Sequence, residues 1–400
     1  MSYWAGSLGA VRARSIPEQP FLAGSCTWRP PFLRLRCARV KAFDHFYLVP
    51  LACAILQARG AEEMLPGAKR VLFLGDSITY SGQYVELIEA YFVTRFPNRP
   101  IEFLNLGLPS ETVSGLSEEG HAGGQFPRPD LRERLERVLT KTKPDTVIAC
   151  YGMNDGIYLP FAPERFAAFR HGLVRLREQV AAAGAKMIHV TPPVFDEAKG
   201  QGPGYGNTLD RYSEWMLGQR AAGWDVADVH QPMKRVLQQR RKADPKFFLA
   251  GDGVHAGELG HWIIAKQILL HFGAKDLAGI ESGAGMARAH PNGTQILGLV
   301  QQKQRLLKDA WLHHTGHQRP GMNQGLPLAE AQAKAAELDQ QVRALAKPQA
   351  AGQDSSARPR TADHRWERRV GDGDLSDGRP LELRASVNHT GVGPSMDAFQ

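Results

Sequence analysis

Five short apolar runs, at residues 71–74, 101–106, 146–150, 186–191 and 224–228, set the strongest limit on how this chain can fold. Between them lie segments whose apolar residues recur at helical spacing. Phe166, Phe169, Leu173, Leu176 and Val180 form one such stripe. Leu131, Leu135, Val138 and Leu139 form a second, and Tyr84, Ile88, Tyr91 and Phe92 a third. Runs that do not alternate with polar residues read as strands buried on both faces. Strands alternating with amphipathic helices predict an α/β fold: a three-layer α/β/α sandwich around a central parallel five-stranded sheet. Ligands of such sheets bind beyond the carboxyl ends of the strands. The residues at those ends therefore carry the functional question.

The first run ends in Gly75-Asp76-Ser77 and then turns amphipathic. The second leads to Gly107, and the third to Gly152-Met153-Asn154-Asp155. Far downstream, Asp252-Gly253-Val254-His255 precedes the last amphipathic helix of the alternating region. Together these ends supply a hydroxyl, a backbone N–H at a glycine, a side-chain amide and an Asp–His pair. That is the inventory for acyl transfer: nucleophile, base, base-orienting group and oxyanion donors. Ser77 needs a base within hydrogen-bond reach to take its proton, and His255 is the candidate. Asp252 would accept from the other imidazole nitrogen and fix the tautomer. The N–H groups of Ser77 and Gly107 and the Asn154 amide are candidate oxyanion donors, with Gly107 leaving room for the approaching ester. Asp76, Asp155, Phe195 and Tyr205 are candidate substrate contacts, with Tyr205 offering a face on which a sugar could stack. Taken singly, each signal also describes a helix cap or a turn. Their occurrence at successive strand ends, in one order, favours the chemical reading.

The arrangement resembles the SGNH, or GDSL-type, serine esterase/hydrolase family, in its secreted bacterial form. Gly75-Asp76-Ser77-Ile78-Thr79 is similar to its first block, Gly107 to its second, Gly152-Met153-Asn154-Asp155 to its third and Asp252-Gly253-Val254-His255 to its fifth. The resemblance covers residues 69–272. It implies the flavodoxin-like SGNH fold, Ser77, Asp252 and His255 as a catalytic triad, and Gly107 and Asn154 as oxyanion donors. Ala256 stands where many members carry proline. The sequence contains no G-x-S-x-G, so an α/β-hydrolase nucleophile elbow is excluded.

The flanks differ from this central region. The net charge of +8 invites a nucleic-acid reading, but residues 1–60 carry eight Lys/Arg against two acids. Residues 351–400 carry seven against eight, which leaves only +3 for 61–350. A basic binding face is poorly supported, and no nucleic-acid partner is expected. Residues 1–40 read as a disordered or mis-annotated extension. Residues 41–60 read as a signal peptide: Arg39 and Lys41 precede an apolar run at 46–56, and Ala58-Arg59-Gly60 offers small residues at a cleavage site. The expectation is a secreted or periplasmic protein beginning close to Ala61, with no stable membrane span because the run is short. The hydrolase domain is placed at 67–275. Residues 292–347 read as a helical hairpin, with Leu299, Leu306, Leu307 and Trp311 on one stripe, and 350–400 as a disordered tail. His313 and His317 lack a carboxylate partner at ligand spacing, and no metal or other cofactor is expected.

The leading expectation is a serine esterase acting on short-chain carboxylic esters, O-acetyl groups on carbohydrate foremost. The alternatives are a lipolytic or thioester-cleaving hydrolase of lysophospholipase or thioesterase type, and a catalytically silent carbohydrate-binding module. Oligomeric state is open from the sequence.

Overall fold

The computed structural model describes residues 64–347. The expected extension at 1–40, the signal-like segment at 41–60 and the tail at 350–400 lie outside the described residues. Among the described residues, no helix is long and apolar enough to cross a membrane.

Five strands form one sheet: β1 (Arg70–Gly75), β2 (Glu102–Asn105), β3 (Thr146–Cys150), β4 (Lys186–Val190) and β5 (Asp225–Ala227). All are parallel, in the order β2-β1-β3-β4-β5. Val71 through Leu74 and Val147 through Cys150 are buried throughout, as a sheet covered on both faces requires. The expected strand positions hold to within about two residues at the ends.

In this order the chain leaves β1 toward one edge to make β2, then returns across β1 to make β3. The loops that follow β2 and β3 therefore flank the end of β1. Such a reversal opens a crevice beyond the carboxyl ends. Gly75, the last residue of β1, pairs in register with Cys150, the last of β3. A Cβ at Gly75 would stand 2.1 Å from Thr79 Oγ1 and 2.7 Å from the Cys150 carbonyl oxygen. Only glycine lets the chain turn this sharply from strand to helix there.

The connecting helices are α1 (Ser77–Ser81), α2 (Gln83–Arg95), α3 (Leu135–Thr142), α4 (Pro163–Ala182), α5 (Tyr205–Gly218), α6 (His230–Ala243) and α7 (Glu258–His271). Proline starts α4, where its missing N–H has no helical partner to lose. Phe169, Leu173, Leu176 and Val180 bury one face of that helix, while Phe166 at its start stays partly exposed. Helix α7 is buried nearly all round through Trp262, Ile263, Ile264, Ile268 and Leu269.

Beyond the short α8 (Gly283–Arg288), helices α9 (Gly293–Thr315) and α10 (Leu328–Ala346) form a hairpin. It packs on α2 and on the edge strand β2. The buried face of α9 is not the purely apolar stripe read from the sequence. Leu299 and Leu306 stay partly exposed, while Ile296, Val300, Lys303, Gln304, Leu307 and Trp311 are buried. Periodicity of apolar residues cannot report Lys303 and Gln304, because their burial depends on partners elsewhere. Lys303 Nζ stands 2.5 Å from Glu89 of α2 and 2.7 Å from Asp339 of α10.

Candidate active site

Asp76 ends β1 and caps α1. Its Oδ1 accepts from the Ile78 N–H at 2.9 Å, supplying one of the donors that a helix start leaves unpaired. Ser77 is then the first residue of α1, with its own N–H free of any intrahelical partner. Its side chain meets a loop from the other end of the domain. Ser77 Oγ lies 2.7 Å from His255 Nε2, and His255 Nδ1 lies 2.6 Å from Asp252 Oδ2. The remaining Asp252 oxygen, Oδ1, accepts from the N–H groups of Val254 and His255 at 2.9 and 2.8 Å. One tight turn thus delivers the imidazole and its acceptor, with Gly253 in the left-handed region at φ 84°.

The electrostatics fix the tautomer. Burial pushes the Asp252 carboxyl up, but hydrogen bonds from the His255 ring and the two N–H groups outweigh it and hold the carboxyl far below its usual range. An ionised Asp252 accepts Nδ1–H, so Nε2 of the neutral ring accepts the Ser77 hydroxyl proton. For His255, burial lowers the pKa, yet the bond and charge of Asp252, with Asp76 adding to them, raise it above the ordinary 6.5.

Asn154 follows β3 and is buried. Its Nδ2 donates to the Glu111 carbonyl at 3.3 Å, and its Oδ1 accepts from Arg128 Nη1 and the Tyr158 hydroxyl, both at 3.0 Å. Beneath it, Glu111 and Arg134 form a buried bidentate ion pair at 2.6 and 2.7 Å, with the Tyr151 hydroxyl donating to Glu111 at 2.6 Å. Asp155 Oδ1 accepts from the N–H groups of Val113 and Ser114, tying the loop after β2 to the loop after β3.

Several expectations are corrected. Gly107 N–H is engaged by Asn105 Oδ1 at 3.0 Å, so it is not an idle oxyanion donor. Its glycine has a packing reason instead: a Cβ there would lie 2.4 Å from the Tyr80 backbone nitrogen. Asp76 and Asp155 are buried and hold backbone N–H groups; neither presents its carboxylate to a ligand. Tyr205 is fully buried at the start of α5. Its hydroxyl donates to the Met153 carbonyl at 2.7 Å and accepts from Gly156 N–H at 3.1 Å, so the ring supports the Asn154 loop and offers no sugar-stacking face. Phe195 is likewise buried against Tyr158 and Tyr205, and Gly200 lies over it. A glycine-rich stretch around one tyrosine reads as an exposed loop until the helix that begins at Tyr205 turns the ring inward.

Arg128, Tyr158, Glu111 and Phe248 escaped the sequence reading. Phe248 is about half exposed and stands beside Gly251, next to Asp252; Lys199 Nζ lies 4.5 Å from its ring centre. None of the four belongs to a motif, and only their neighbours in space mark them. Among the described residues, no group of three or more His, Cys, Asp or Glu side chains is placed to hold a metal ion.

The fold and this hydroxyl–imidazole–carboxylate chain at the sheet's carboxyl edge are similar to those of the SGNH class of α/β acylhydrolase. Residues 73–263 match the model of the GDSL-like lipase/acylhydrolase family. Among solved structures it is similar to Axe2, an acetylxylan esterase from Geobacillus stearothermophilus, at 22% identity over 53% of this chain and 97% of that one, with a TM-score of 0.42. It is also similar to LAE5, an alpha/beta hydrolase enzyme from the metagenome of Lake Arreo, Spain, at 25% identity over 52% and 95%, TM-score 0.41. A gut microbial diltiazem-metabolizing enzyme is similar at 23% identity over 53% of this chain, TM-score 0.44. There the match spans 49%, about half, of that enzyme's length. No curated protein matches the sequence.

Proposed function

We propose that this protein is a serine esterase that hydrolyses short-chain carboxylic esters, with O-acetyl groups on carbohydrate as the natural substrate class. The observation that carries the proposal is the continuous chain Ser77–His255–Asp252, with heavy-atom distances of 2.7 and 2.6 Å. In the first half-reaction Ser77 Oγ attacks the ester carbonyl carbon while its proton passes to His255 Nε2. The carbonyl oxygen gains the charge, and Ser77 N–H and the Asn154 Nδ2–H are the donors best placed to hold it. The intermediate collapses, the C–O bond to the alcohol breaks, and the imidazolium returns its proton to the departing oxygen. Water then gives a proton to His255 and attacks the acyl-enzyme carbonyl carbon. The carboxylic acid leaves and Ser77 regains its proton. Asp252 stabilises the imidazolium in both halves without itself taking the proton.

The short-chain preference rests on what surrounds the serine. Arg128, Glu118, Asn154 and the buried Glu111–Arg134 pair are polar and mutually bonded. Among the described residues, Leu159, Val174 and Phe248 are the large apolar side chains that stand well exposed. Phe248, beside the loop that carries Asp252 and His255, takes the place of Tyr205 as the aromatic face a sugar ring could use. Each methylene buried in a groove is worth about 0.8 kcal/mol, so a lipase gains kcat/KM steadily with chain length. A kcat/KM series on aryl esters from two to twelve carbons tests the reading. The expected trend falls from acetyl and propionyl toward octanoyl; a peak at eight carbons or beyond would place the protein among lipolytic enzymes. Labelling of Ser77 by a fluorophosphonate separates any of these esterases from a silent binding module.

Export belongs to the same proposal and rests on the apolar run at 46–56 and the small residues at Ala58 and Gly60. N-terminal sequencing of protein from its native host should begin close to Ala61. An intact Met1 on soluble cytoplasmic protein would refute it.

A further inference from the structure

Asn154 can act as an oxyanion donor only if its NH2 group, not its oxygen, faces the reacting carbonyl. The two ends of an amide have nearly the same shape, so packing alone does not choose between them. Polar partners choose here. Arg128 is a donor only, and Nη1 bonds Asn154 Oδ1 at 3.0 Å; the Tyr158 hydroxyl supplies a second donor to the same oxygen at 3.0 Å. On the other side the Glu111 carbonyl, an acceptor only, takes one Nδ2 hydrogen at 3.3 Å. A flipped amide would set NH2 against a guanidinium and oxygen against a carbonyl. The orientation shown leaves the second Nδ2 hydrogen for a ligand.

Arg128 is itself held. Its Nε and Nη2 grip both Glu118 oxygens at 2.6 Å each, and its guanidinium carbon lies 5.3 Å from the Tyr158 ring centre. Its backbone N–H donates to Ser117 Oγ at 2.9 Å, closing the neck of the loop that runs from 117 to 128. The Arg128 side chain is only 6% exposed, so the fork does not sample other partners. A fixed cation on the amide oxygen also draws electron density from the nitrogen and strengthens its N–H as a donor to developing negative charge.

We propose that Arg128, fixed by Glu118 and assisted by Tyr158, is the positioning residue of the oxyanion hole: it sets the Asn154 amide and polarises it. The inference rests on the esterase reading above. It makes the loop at 117–128 part of the catalytic apparatus, although no residue of that loop needs to touch the substrate's reacting atoms.

A double-mutant cycle on a short aryl acetate tests it, with folding of each variant checked by thermal melting. Arg128→Met should lower kcat about 10- to 100-fold, less than loss of the donor itself, with KM within about threefold. Tyr158→Phe, which removes one donor and keeps the ring, should show a smaller loss of the same kind. Arg128→Lys should recover part of the loss, since an ammonium keeps the charge but not the fork to Glu118. In an Asn154→Ala background, Arg128→Met should produce no further loss, because the group it acts through is gone. An undiminished further loss in that background would overturn the proposal, as would a raised KM at unchanged kcat. Should Asn154→Ala alone keep full kcat, the oxyanion assignment fails and takes the clamp with it. An intact Asn154 effect with independent Arg128 losses overturns the clamp only.

Discussion

Gln304 of α9 donates to the Phe103 carbonyl of the edge strand β2 at 2.8 Å and to Glu89 Oε2 at 2.6 Å. The hairpin is thereby bonded to the backbone of the sheet's edge strand, which if uncovered would present unpaired groups. Lys308 Nζ reaches the Tyr80 carbonyl at 2.8 Å, and Arg319, beyond α9, reaches the Pro109 carbonyl at 3.0 Å. Both acceptors lie on segments that frame Ser77. The C-terminal helices are thus part of the structure that holds the site.

Truncation from Asn292 onward should therefore leave a domain that exposes apolar surface and loses esterase activity, read by dye binding and by turnover. Gln304→Ala is the milder probe. It should lower stability by about 1–3 kcal/mol, since the Phe103 carbonyl and Glu89 lose a buried donor. Urea unfolding measures this, and an unchanged midpoint would show that the edge is held by apolar packing alone.

Ser77→Ala should reduce kcat by about 10⁴-fold or more, because triad members act as a unit. Asn154→Ala should reduce it about 10²–10³-fold with KM little changed. Near-normal turnover by Ser77→Ala would end the assignment.

The acid limb of kcat/KM should lie above pH 6.5, since the base must be neutral and Asp252 holds the His255 pKa up. As pH falls through that pKa, the proton occupies Nε2 and activity is lost. Asp252→Asn removes the raising interaction. It should move the limb to lower pH while cutting kcat by about 10⁴-fold. A limb that stays in place would show that another group controls it.

Burial pushes the Asp155 carboxyl up to about 6, against 3.8 when exposed, and its Oδ2 is buried without a partner. The folded state thus holds a proton that the unfolded chain releases between those values. By linkage, this contribution to stability is present at pH 4 and lost as pH rises through 6. Asn keeps the acceptor for Val113 and Ser114 and does not titrate. Asp155→Asn should gain on the parent by up to about 3 kcal/mol between pH 4 and 7, read from urea midpoints across that range. A pH-independent difference would mean that Asp155 stays ionised throughout.

Arg134 and Arg70 each pair with a glutamate, yet breaking the two pairs should differ greatly in cost. Arg134 and Glu111 are 1% and 0% exposed, whereas Arg70 and Glu102 are 31% and 36% exposed. Arg134→Leu leaves a carboxylate buried beneath Asn154 and should cost about 3–5 kcal/mol. Cutting only the ion pair at the exposed site, by Glu102→Gln, should cost no more than about 1 kcal/mol. Thermal melts of the two variants give the comparison directly.

What the sequence by itself determined is what depends on neighbours along the chain. Apolar runs mark strands buried on both faces; Ser77 and Asn154 can be assigned to strand ends, and His255 to the approach to the last helix of the sandwich, before any contact is known. Helical stripes mark the layers, and the order of these signals marks the class. What only the tertiary structure decided is which polar groups are already engaged. Gly107 N–H is taken by Asn105, Asp76 by the start of α1, and the Tyr205 hydroxyl by the Asn154 loop. Arg128 finds Asn154 across 26 residues, and Gln304 finds Phe103 across 201. Apolar burial leaves a periodic trace because a whole face must be hydrophobic. A buried polar side chain needs one partner at one distance and angle, and that partner is supplied by the fold at any separation along the chain.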